Sequence, residues 1–116
     1  MWIVKLTNCF NIWLSKQDND TQEKVLASLR LLETYGPKLS RPYVDTAKNS
    51  QFPNMKELRI QHMGKPIRAF FAFDPQRQAI VLCAGCKTNN KKFYAEMIHS
   101  ADKEFTLYLT LMEKHK

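Results

Sequence analysis

The sequence predicts an α+β domain in which helices pack against a small, mostly antiparallel sheet, with the element order β-α-α-β-β-β-α. Strand-like runs separated by turn residues fill residues 55–94. On both sides of that segment, apolar residues recur at three- and four-residue intervals, as they do in amphipathic helices. The chain has 116 residues, enough for one domain and too few for two ordinary ones, so we expect residues 1–116 to form a single domain.

The amino-terminal third predicts one short strand and two helices. Weak alternation predicts a strand over residues 2–6, and helical spacing predicts a helix over about residues 8–16. A second helix follows, with Asp20 and Glu23 placed for a capping box, and Gly36 marks its end. Its apolar stripe consists of Val25, Leu26, Leu29 and Leu32.

Residues 36–54 predict a long extended loop, because three prolines and several small polar residues interrupt any periodic pattern there. Structureless connections of this length are uncommon in compact domains and are often functional. Basic side chains in the loop are candidates for contact with phosphate: Lys38, Arg41 and Lys48. The alternative is that apolar residues merely pin the loop to the core: Leu39, Tyr43 and Val44.

The segment at residues 55–94 predicts three consecutive strands. In MKELRIQH, alternation turns Leu58 and Ile60 to one face of the sheet, and Glu57 and Arg59 to the other. In IRAFFAFD, Arg68 lies on the face opposite the odd-numbered apolar residues. AIVLCAG is apolar on both faces, which is typical of a central or covered strand. An arginine within a strand either lies on a solvated face or points into a shared concave site.

A basic loop and a third helix complete the chain. The loop at residues 87–92, KTNNKK, carries three lysines and no acid, so it could surround a phosphate. Helical spacing begins at Phe93 and places Tyr94 in the first turn, beside the loop. The helix ends in residues that suit the negative end of its dipole: Lys114, His115 and Lys116.

The composition indicates a folded protein with an anionic partner. An apolar fraction of 44% with 25% charged residues argues against a disordered chain. The net charge of +7 favours nucleic acid as partner, then an acidic protein or membrane surface, unless the charge serves only solubility. No stretch approaches the roughly 20 apolar residues of a membrane-spanning helix, and no signal peptide is recognisable at the start. We therefore expect a cytoplasmic protein without a membrane role.

The three cysteines are expected to be free thiols in a reducing compartment. Cys83 and Cys86 form a C-x-x-C pair, but a zinc site needs four ligands and no second close pair accompanies them. Redox pairs usually open a helix, whereas Cys83 ends a predicted strand. We expect neither a metal nor another cofactor.

A set of short motifs runs through nearly the whole chain in a fixed order: Gly36-Pro37, Leu39, Arg41-Pro42, Val44-Asp45-Thr46, Lys56-Glu57-Leu58-Arg59, Arg68, Phe71-Ala72-Phe73-Asp74-Pro75, Lys87 and Phe93-Tyr94. Their order and spacing resemble the phage Gp49-like branch of the RelE/HigB toxin superfamily. The sequence departs from that pattern at Ser40, where the branch usually has glycine, and at Cys86, where it usually has a polar residue.

The resemblance implies the toxin of a type II toxin–antitoxin pair, an mRNA interferase that cuts mRNA in the ribosomal A site. It implies three partners: a HigA-like helix-turn-helix antitoxin, the ribosome and mRNA. Contact with DNA would then come only through the antitoxin. The fold it implies is the compact RelE-like domain, which agrees with the predicted order of elements.

The resemblance also assigns site residues. Arg68 matches the recurrent phosphate-binding arginine, Lys87 the basic residue after the last strand, and Tyr94 the tyrosine that opens the last helix. These three are the expected catalytic residues. Arg59 matches the arginine of the E-L-R strand, with an ion pair inside the sheet as its alternative role. Further residues expected to bind phosphate or RNA are Lys56, Lys91 and Lys92.

Metal-free RNA cleavage needs a group that takes the 2′-hydroxyl proton, charge stabilisation at the phosphate, and protonation of the leaving 5′-oxygen. We expect Arg68 and Arg59 to hold the phosphate, Lys87 to stabilise charge, and Tyr94 to stack on a base or assist proton transfer. Phenol and ammonium groups, with pKa values of about 10, are poor bases at neutral pH unless neighbouring cations lower them. No catalytic histidine is evident, and we expect His62 to be a surface residue.

Two alternatives remain open at the level of sequence. One is a non-nuclease toxin of the same fold, resembling the ParE group that acts on DNA gyrase. The other is a basic module that binds nucleic acid or protein without chemistry. Ribosome-dependent cuts in mRNA, as opposed to gyrase–DNA adducts, would separate the two kinds of toxin.

Overall fold

The computed structural model describes residues 1–114, which form a five-stranded sheet packed between helices. The elements are β1 (Val4–Leu6), α1 (Asn8–Ser15), α2 (Asn19–Tyr35), β2 (Val44–Thr46), β3 (Lys56–His62), β4 (Lys65–Phe73), β5 (Ala79–Cys86) and α3 (Phe93–Lys114). The strand order is β1-β5-β4-β3-β2, and only the β1–β5 pair is parallel. The predicted α+β class is confirmed. His115 and Lys116 lie outside the described residues.

The sheet has an apolar core on each face. On one face, α1 and α2 cover the sheet, with Phe10, Val25 and Leu32 fully buried among strand residues. On the other face, α3 covers it, with Phe105 and Ala101 packed against strand residues such as Phe70. The central strands β4 and β5 are therefore buried on both sides, as the apolar run AIVLCAG predicts.

The alternation predicted for β3 and β4 is confirmed. Leu58 and Ile60 lie in the core beneath α1 and α2, and Phe70 lies in the core beneath α3. The antiparallel register of β3 and β4 places Arg59 directly opposite Arg68. Both arginines therefore lie on the face that α3 covers, because opposed residues of an antiparallel pair share a face.

The prediction of a structureless loop over residues 36–54 is wrong in part. The stretch contains a 3₁₀ turn over Gly36–Lys38 and the short edge strand β2, which pairs with β3. The pairing continues beyond β2, since the Arg59 amide donates to the Tyr43 carbonyl at 2.7 Å. A strand of three residues is too short for alternation to reveal it. Leu39 and Val44 are buried in the core, as the alternative for this stretch predicts, whereas Tyr43 remains half-exposed and does not pin it.

Two details of α2 also differ from prediction. The cap is Asp18, whose Oδ1 accepts a hydrogen bond from the Thr21 amide at 2.8 Å, so Asp20 lies within the first turn. Leu26 is 40% exposed, because the position after Val25 lies about 100° further around the helix. Gly36 does end the helix, with φ of +54°, and a side chain there would collide with the Trp2 indole.

Asp74 anchors the turn between β4 and β5 to the far half of α3. Its carboxylate is buried, and Oδ1 accepts a hydrogen bond from the Gln78 amide at 2.8 Å. The Tyr108 hydroxyl donates to Oδ2 at 2.7 Å. Burial and the Asp74 carboxylate raise the pKa of Tyr108 to about 12. This hydrogen bond fixes α3 at its far end, and the sheet face near Arg68 fixes it at its beginning.

We expect Tyr108→Phe to lower the free energy of unfolding by about 1.5–3 kcal/mol, because it removes a hydrogen bond to a charged group. Urea unfolding at neutral pH measures the loss, and Tyr35→Phe on a half-exposed tyrosine is the control. The pKa of Tyr108 is raised in the folded protein from 10.0 to about 12. The contribution of the Tyr108 hydroxyl to the free energy of unfolding is therefore complete below pH 10 and is lost as pH rises towards 12. Equal stability of wild type and variant at neutral pH would contradict the anchor.

Candidate phosphate-binding site

Arg68 is a charged side chain in an otherwise apolar part of the sheet. It is 7% exposed, its Nε donates to the Tyr94 hydroxyl at 3.3 Å, and its Nη1 donates to the Ile67 carbonyl at 3.1 Å. Among the described residues, no carboxylate forms an ion pair with it. Buried charges in proteins are normally paired. The Arg68 guanidinium is therefore the candidate for binding an anion.

Arg59 adds a second positive charge on the same face. It is the cross-strand partner of Arg68, an arrangement in which like charges repel. Its Nε lies 3.7 Å from Oε1 of Glu57, within ion-pair distance but too far for a hydrogen bond. The ion pair within the sheet, the alternative role expected for Arg59, is thus present. Since the pair is loose, Arg59 remains able to contact an anion as well.

Tyr94 is held above Arg68 by the way α3 begins. Gly85 on β5 lies opposite Arg68 and lets the first turns of α3 approach the sheet closely. A Cβ at Gly85 would lie 3.3 Å from both the Met97 Sδ and the Phe93 Cε1. The Tyr94 ring packs edge-on against Phe70, with ring centroids 6.2 Å apart. The positive end of the α3 dipole therefore adds to the field at Arg68.

Lys87 and the basic loop border the same site. The Lys87 ammonium lies 5.3 Å from the centre of the Tyr94 ring, and its amide donates to the Pro66 carbonyl at 2.7 Å. Lys91 and Lys92 are exposed in the turn before α3, where Asn90 Oδ1 accepts from the Lys92 amide at 3.0 Å. The structure thus brings Arg68, Tyr94 and Lys87 together, with Arg59 opposite Arg68 in the sheet and Lys91 and Lys92 in the adjoining loop, which makes six of the predicted residues.

Lys56 is separated from this group. The pleat of β3 places it on the same face as Leu58, opposite the face that carries Arg68. Its Nζ donates to the Thr46 hydroxyl at 3.3 Å. Of the loop cations, Arg41 pairs with Asp45 on the surface at 3.0 Å, and Lys48 lines the cleft described next.

A cleft of about 240 Å³ opens between β2, β3 and the start of α3; it is lined by Asp45, Thr46, Lys48, Asn49, Glu57, Tyr94 and Ile98. Glu57 is 6% exposed and lies in this cleft with no hydrogen-bond donor on its carboxylate among the described residues. The sequence-based site did not include Glu57. The signal was present, since alternation turns Glu57 to the same face as Arg59.

The Asp45 carboxylate at the β2 side of the cleft is stabilised in its ionised form. The Thr46 amide donates to Asp45 Oδ1 at 2.8 Å and holds the pKa of Asp45 below its ordinary value. The charges of Arg41 and Arg59 act in the same direction. The cleft therefore carries the negative charge of Asp45 on its β2 side, and Tyr94, which lines it, connects it to Arg68 and Lys87, which lie outside its lining.

The C-x-x-C pair and the histidines contribute no second site. Burial raises the pKa of the Cys83 thiol to about 12, so it is protonated at neutral pH, and its Sγ faces the Met97 carbonyl at 3.7 Å. Cys86 is exposed, and no group of potential ligands for a metal occurs within residues 1–114. His62 lies on the α2 side of the sheet, beside Asp20 and Lys24. None of the described helices is long and apolar enough to cross a membrane.

Comparison with known proteins gives a consistent result. Residues 12–106 match the model of the family described as phage-derived protein Gp49-like. The candidate toxin HigB2 of Mycobacterium tuberculosis (strain ATCC 25618 / H37Rv) is 44% identical over 106 residues, which cover 90% of this chain and 53% of HigB2. The candidate toxin HigB3 of the same strain is 46% identical over 92 residues, covering 78% of this chain and 79% of HigB3. The chain thus spans about half of HigB2 and most of HigB3.

Two solved structures share the fold. The isolated RelE toxin of E. coli has a TM-score of 0.59 at 11% identity, covering 85% of this chain and 97% of RelE. The intact E. coli RelBE toxin–antitoxin complex gives a TM-score of 0.57 at 11% identity, covering 77% of this chain and all of the matched one. At this identity the likeness concerns the fold alone.

The Arg68 site predicts that inorganic phosphate stabilises the folded protein. At a phosphate concentration of 100 times its Kd, the gain is about 2.7 kcal/mol, because the ligand binds only the folded state. Thermal unfolding across a phosphate titration at constant ionic strength measures the shift. We expect Arg68→Gln to abolish most of it. Arg30→Gln removes a charge from exposed α2 and should respond as wild type does; equal shifts in all three proteins would contradict the site.

Proposed function

This chain belongs to the phage-derived Gp49-like family within the RelE/HigB toxin superfamily, and on that basis we propose that it is a ribosome-dependent mRNA endoribonuclease. In this proposal it is the toxin of a type II toxin–antitoxin pair and inhibits translation by cutting mRNA. The resemblance found in the sequence is confirmed by the match over residues 12–106. The names of the two mycobacterial relatives, both candidate toxins, support the proposal.

The observation that carries the proposal is the buried guanidinium of Arg68. A buried cation without a carboxylate partner among the described residues suits an anion that arrives from outside, and a phosphodiester is such an anion. Arginine suits this role because its planar fork can donate to two phosphate oxygens at once. The Nη2 group faces no acceptor among residues 1–114 and is the donor we assign to the phosphate.

The proposed mechanism is metal-independent attack of the 2′-hydroxyl on the adjacent phosphate. Arg68 binds the phosphate oxygens, with Arg59 as a second contact, and Lys87 stabilises the charge that develops in the transition state. Because the Arg68 Nε donates to the Tyr94 oxygen, the proton of the Tyr94 hydroxyl stays available for the leaving 5′-oxygen. Lys91 and Lys92, exposed beside this site, contact ribosomal RNA. Lys56 faces away and takes no part in the chemistry.

The proposed partners follow from the same premise. The RelBE structure is a toxin bound to its antitoxin, and we propose a HigA-like helix-turn-helix antitoxin for this chain. DNA would be reached only through that antitoxin. The ribosome and its mRNA are the targets, which makes the cytoplasm the place of action. The net charge of +7 favours association with ribosomal RNA.

Induced expression of the wild-type chain should arrest growth and produce new mRNA 5′ ends within translated frames, mapped by primer extension. We expect Arg68→Ala to abolish arrest and lower cutting by about 10²–10³-fold, because it removes a charge-stabilising donor. Tyr94→Phe should slow cutting while leaving the fold intact. Arg30→Ala, on the sheet face opposite Arg68, is the matched control and should arrest growth like wild type.

Growth arrest with intact mRNA would contradict the nuclease proposal. In that case gyrase–DNA adducts in the same cells would indicate a toxin of the ParE kind. The absence of arrest, together with RNA binding that falls steeply with salt, would indicate a basic binding module instead.

The antitoxin proposal has its own test. We expect a short reading frame beside the gene to encode a helix-turn-helix protein whose co-expression restores growth. The tagged toxin should retain that protein through purification as a stable complex. Restored growth without a recoverable complex would contradict neutralisation by direct binding.

A further inference from the structure

We propose that Glu57 is the group that accepts the 2′-hydroxyl proton, an inference that rests on the proposed nuclease function and adds a catalytic residue to it. In the proposed mechanism the cations of the site hold the phosphate and the tyrosine protonates the leaving 5′-oxygen. That mechanism still lacks a group that accepts the 2′-hydroxyl proton. Carboxylates are among the side chains that accept protons in such reactions.

The position of Glu57 fits this role. It lies on β3 directly opposite Phe70, and the Tyr94 ring packs against that same phenylalanine with centroids 6.2 Å apart. Arg68 is two residues along β4 from Phe70, so Glu57 and Arg68 are diagonal neighbours on one face. Such positions lie roughly 7–8 Å apart at the backbone. Tyr94 links the two residues, since it lines the cleft together with Glu57 and its hydroxyl accepts a hydrogen bond from Arg68 Nε.

The surroundings of Glu57 leave its carboxylate available. Its one ion pair, to Arg59 Nε, is 3.7 Å long, and no described residue donates a hydrogen bond to it. It is 6% exposed, and the cleft of about 240 Å³ that it shares with Tyr94 and Ile98 is its opening to solvent. A buried carboxylate beside a phosphate site would repel the substrate if it did nothing else. Accepting the 2′-hydroxyl proton is a role that explains why a carboxylate lies at this position.

The proposed cleavage transfers one proton to Glu57 and one proton from Tyr94. The 2′-O–H bond breaks and its proton passes to the Glu57 carboxylate, while the 2′-oxygen forms a bond to phosphorus. The P–O5′ bond breaks, and the 5′-oxygen takes the Tyr94 hydroxyl proton. The products are a 2′,3′-cyclic phosphate and a free 5′-hydroxyl, and exchange with water returns both side chains to their starting state.

The test is single-turnover cleavage of mRNA on purified ribosomes by the full-length protein. We expect Glu57→Gln to lower the cleavage rate by about 10²–10⁴-fold, because it keeps the shape of the side chain but accepts no proton. Binding to the ribosome should stay within a few-fold of wild type. Glu23→Gln, the same change on the exposed surface of α2, is the matched control and should leave the rate unchanged.

Arg59 provides the test against a merely positioning role. If Glu57 acts only by holding Arg59, then Glu57→Gln adds nothing to the loss caused by Arg59→Gln. If Glu57 accepts the proton, the double variant loses a further factor of about 10² or more. Glu57→Asp, which keeps the carboxylate, should retain more activity than Glu57→Gln when the two variants have equal melting temperatures.

Formate supplies an independent outcome. Added to Glu57→Ala, it should restore cleavage in proportion to its concentration, and it should not restore Arg68→Ala. If the wild type cleaves mRNA and Glu57→Gln cleaves it at the same rate, the inference about Glu57 is overturned and the nuclease proposal stands. A wild-type protein that does not cleave, or one that still cuts mRNA carrying a 2′-deoxy nucleotide at the cut site, would overturn the proposed mechanism itself.

Discussion

Burial of β4 and β5 on both faces is the constraint from which the rest of the molecule follows. Helices α1 and α2 cover one face and α3 covers the other, so a polar group in these strands loses water on either side. Desolvated charge is costly unless it is paired. Arg68 is the charged residue that β4 nevertheless carries into this layer. A tyrosine hydroxyl and a backbone carbonyl are its hydrogen-bond partners among the described residues.

The geometry of the site is set by residues that do no chemistry. Gly85 lets α3 approach β5, and Phe70 supports the Tyr94 ring. The pairing of Asp74 with Tyr108 holds the far half of the helix. The register of β3 and β4 brings Arg59 opposite Arg68 and places Glu57 two positions away on the same face. A small domain can thus present a hydroxyl and a carboxylate in one cleft, with Arg68 and Lys87 in contact with that hydroxyl-bearing tyrosine, because one strand pair and one helix position all of them.

The sequence predicted most of the fold, because alternation and helical spacing are strong where elements are long. It turned Arg59 away from Leu58 and Ile60, and it turned Arg68 away from the odd-numbered apolar residues of its strand. It also located Tyr94 beside the basic loop. It missed β2, since three residues among prolines carry no periodic signal, and it misplaced the cap of α2, since Asp18 and Asp20 are equally suitable until the Thr21 amide selects one. Lys56 was grouped with the site by its neighbours in sequence, whereas the pleat turns it to the other face. Glu57 was overlooked because a search for a phosphate-binding site selects cationic side chains and passes over acidic ones.

The parallel pairing of β1 with β5 has a consequence for how the chain acquires its structure during synthesis. The hairpins of β3, β4 and β5 join neighbouring segments, whereas the Thr7 hydroxyl bonds to the Leu82 carbonyl across 75 residues. Contacts of such separation form late, because a large loop must close first. Tyr94 and the helix that carries it are translated later still. A nascent chain therefore has no complete cleft until almost all of it has emerged from the ribosome.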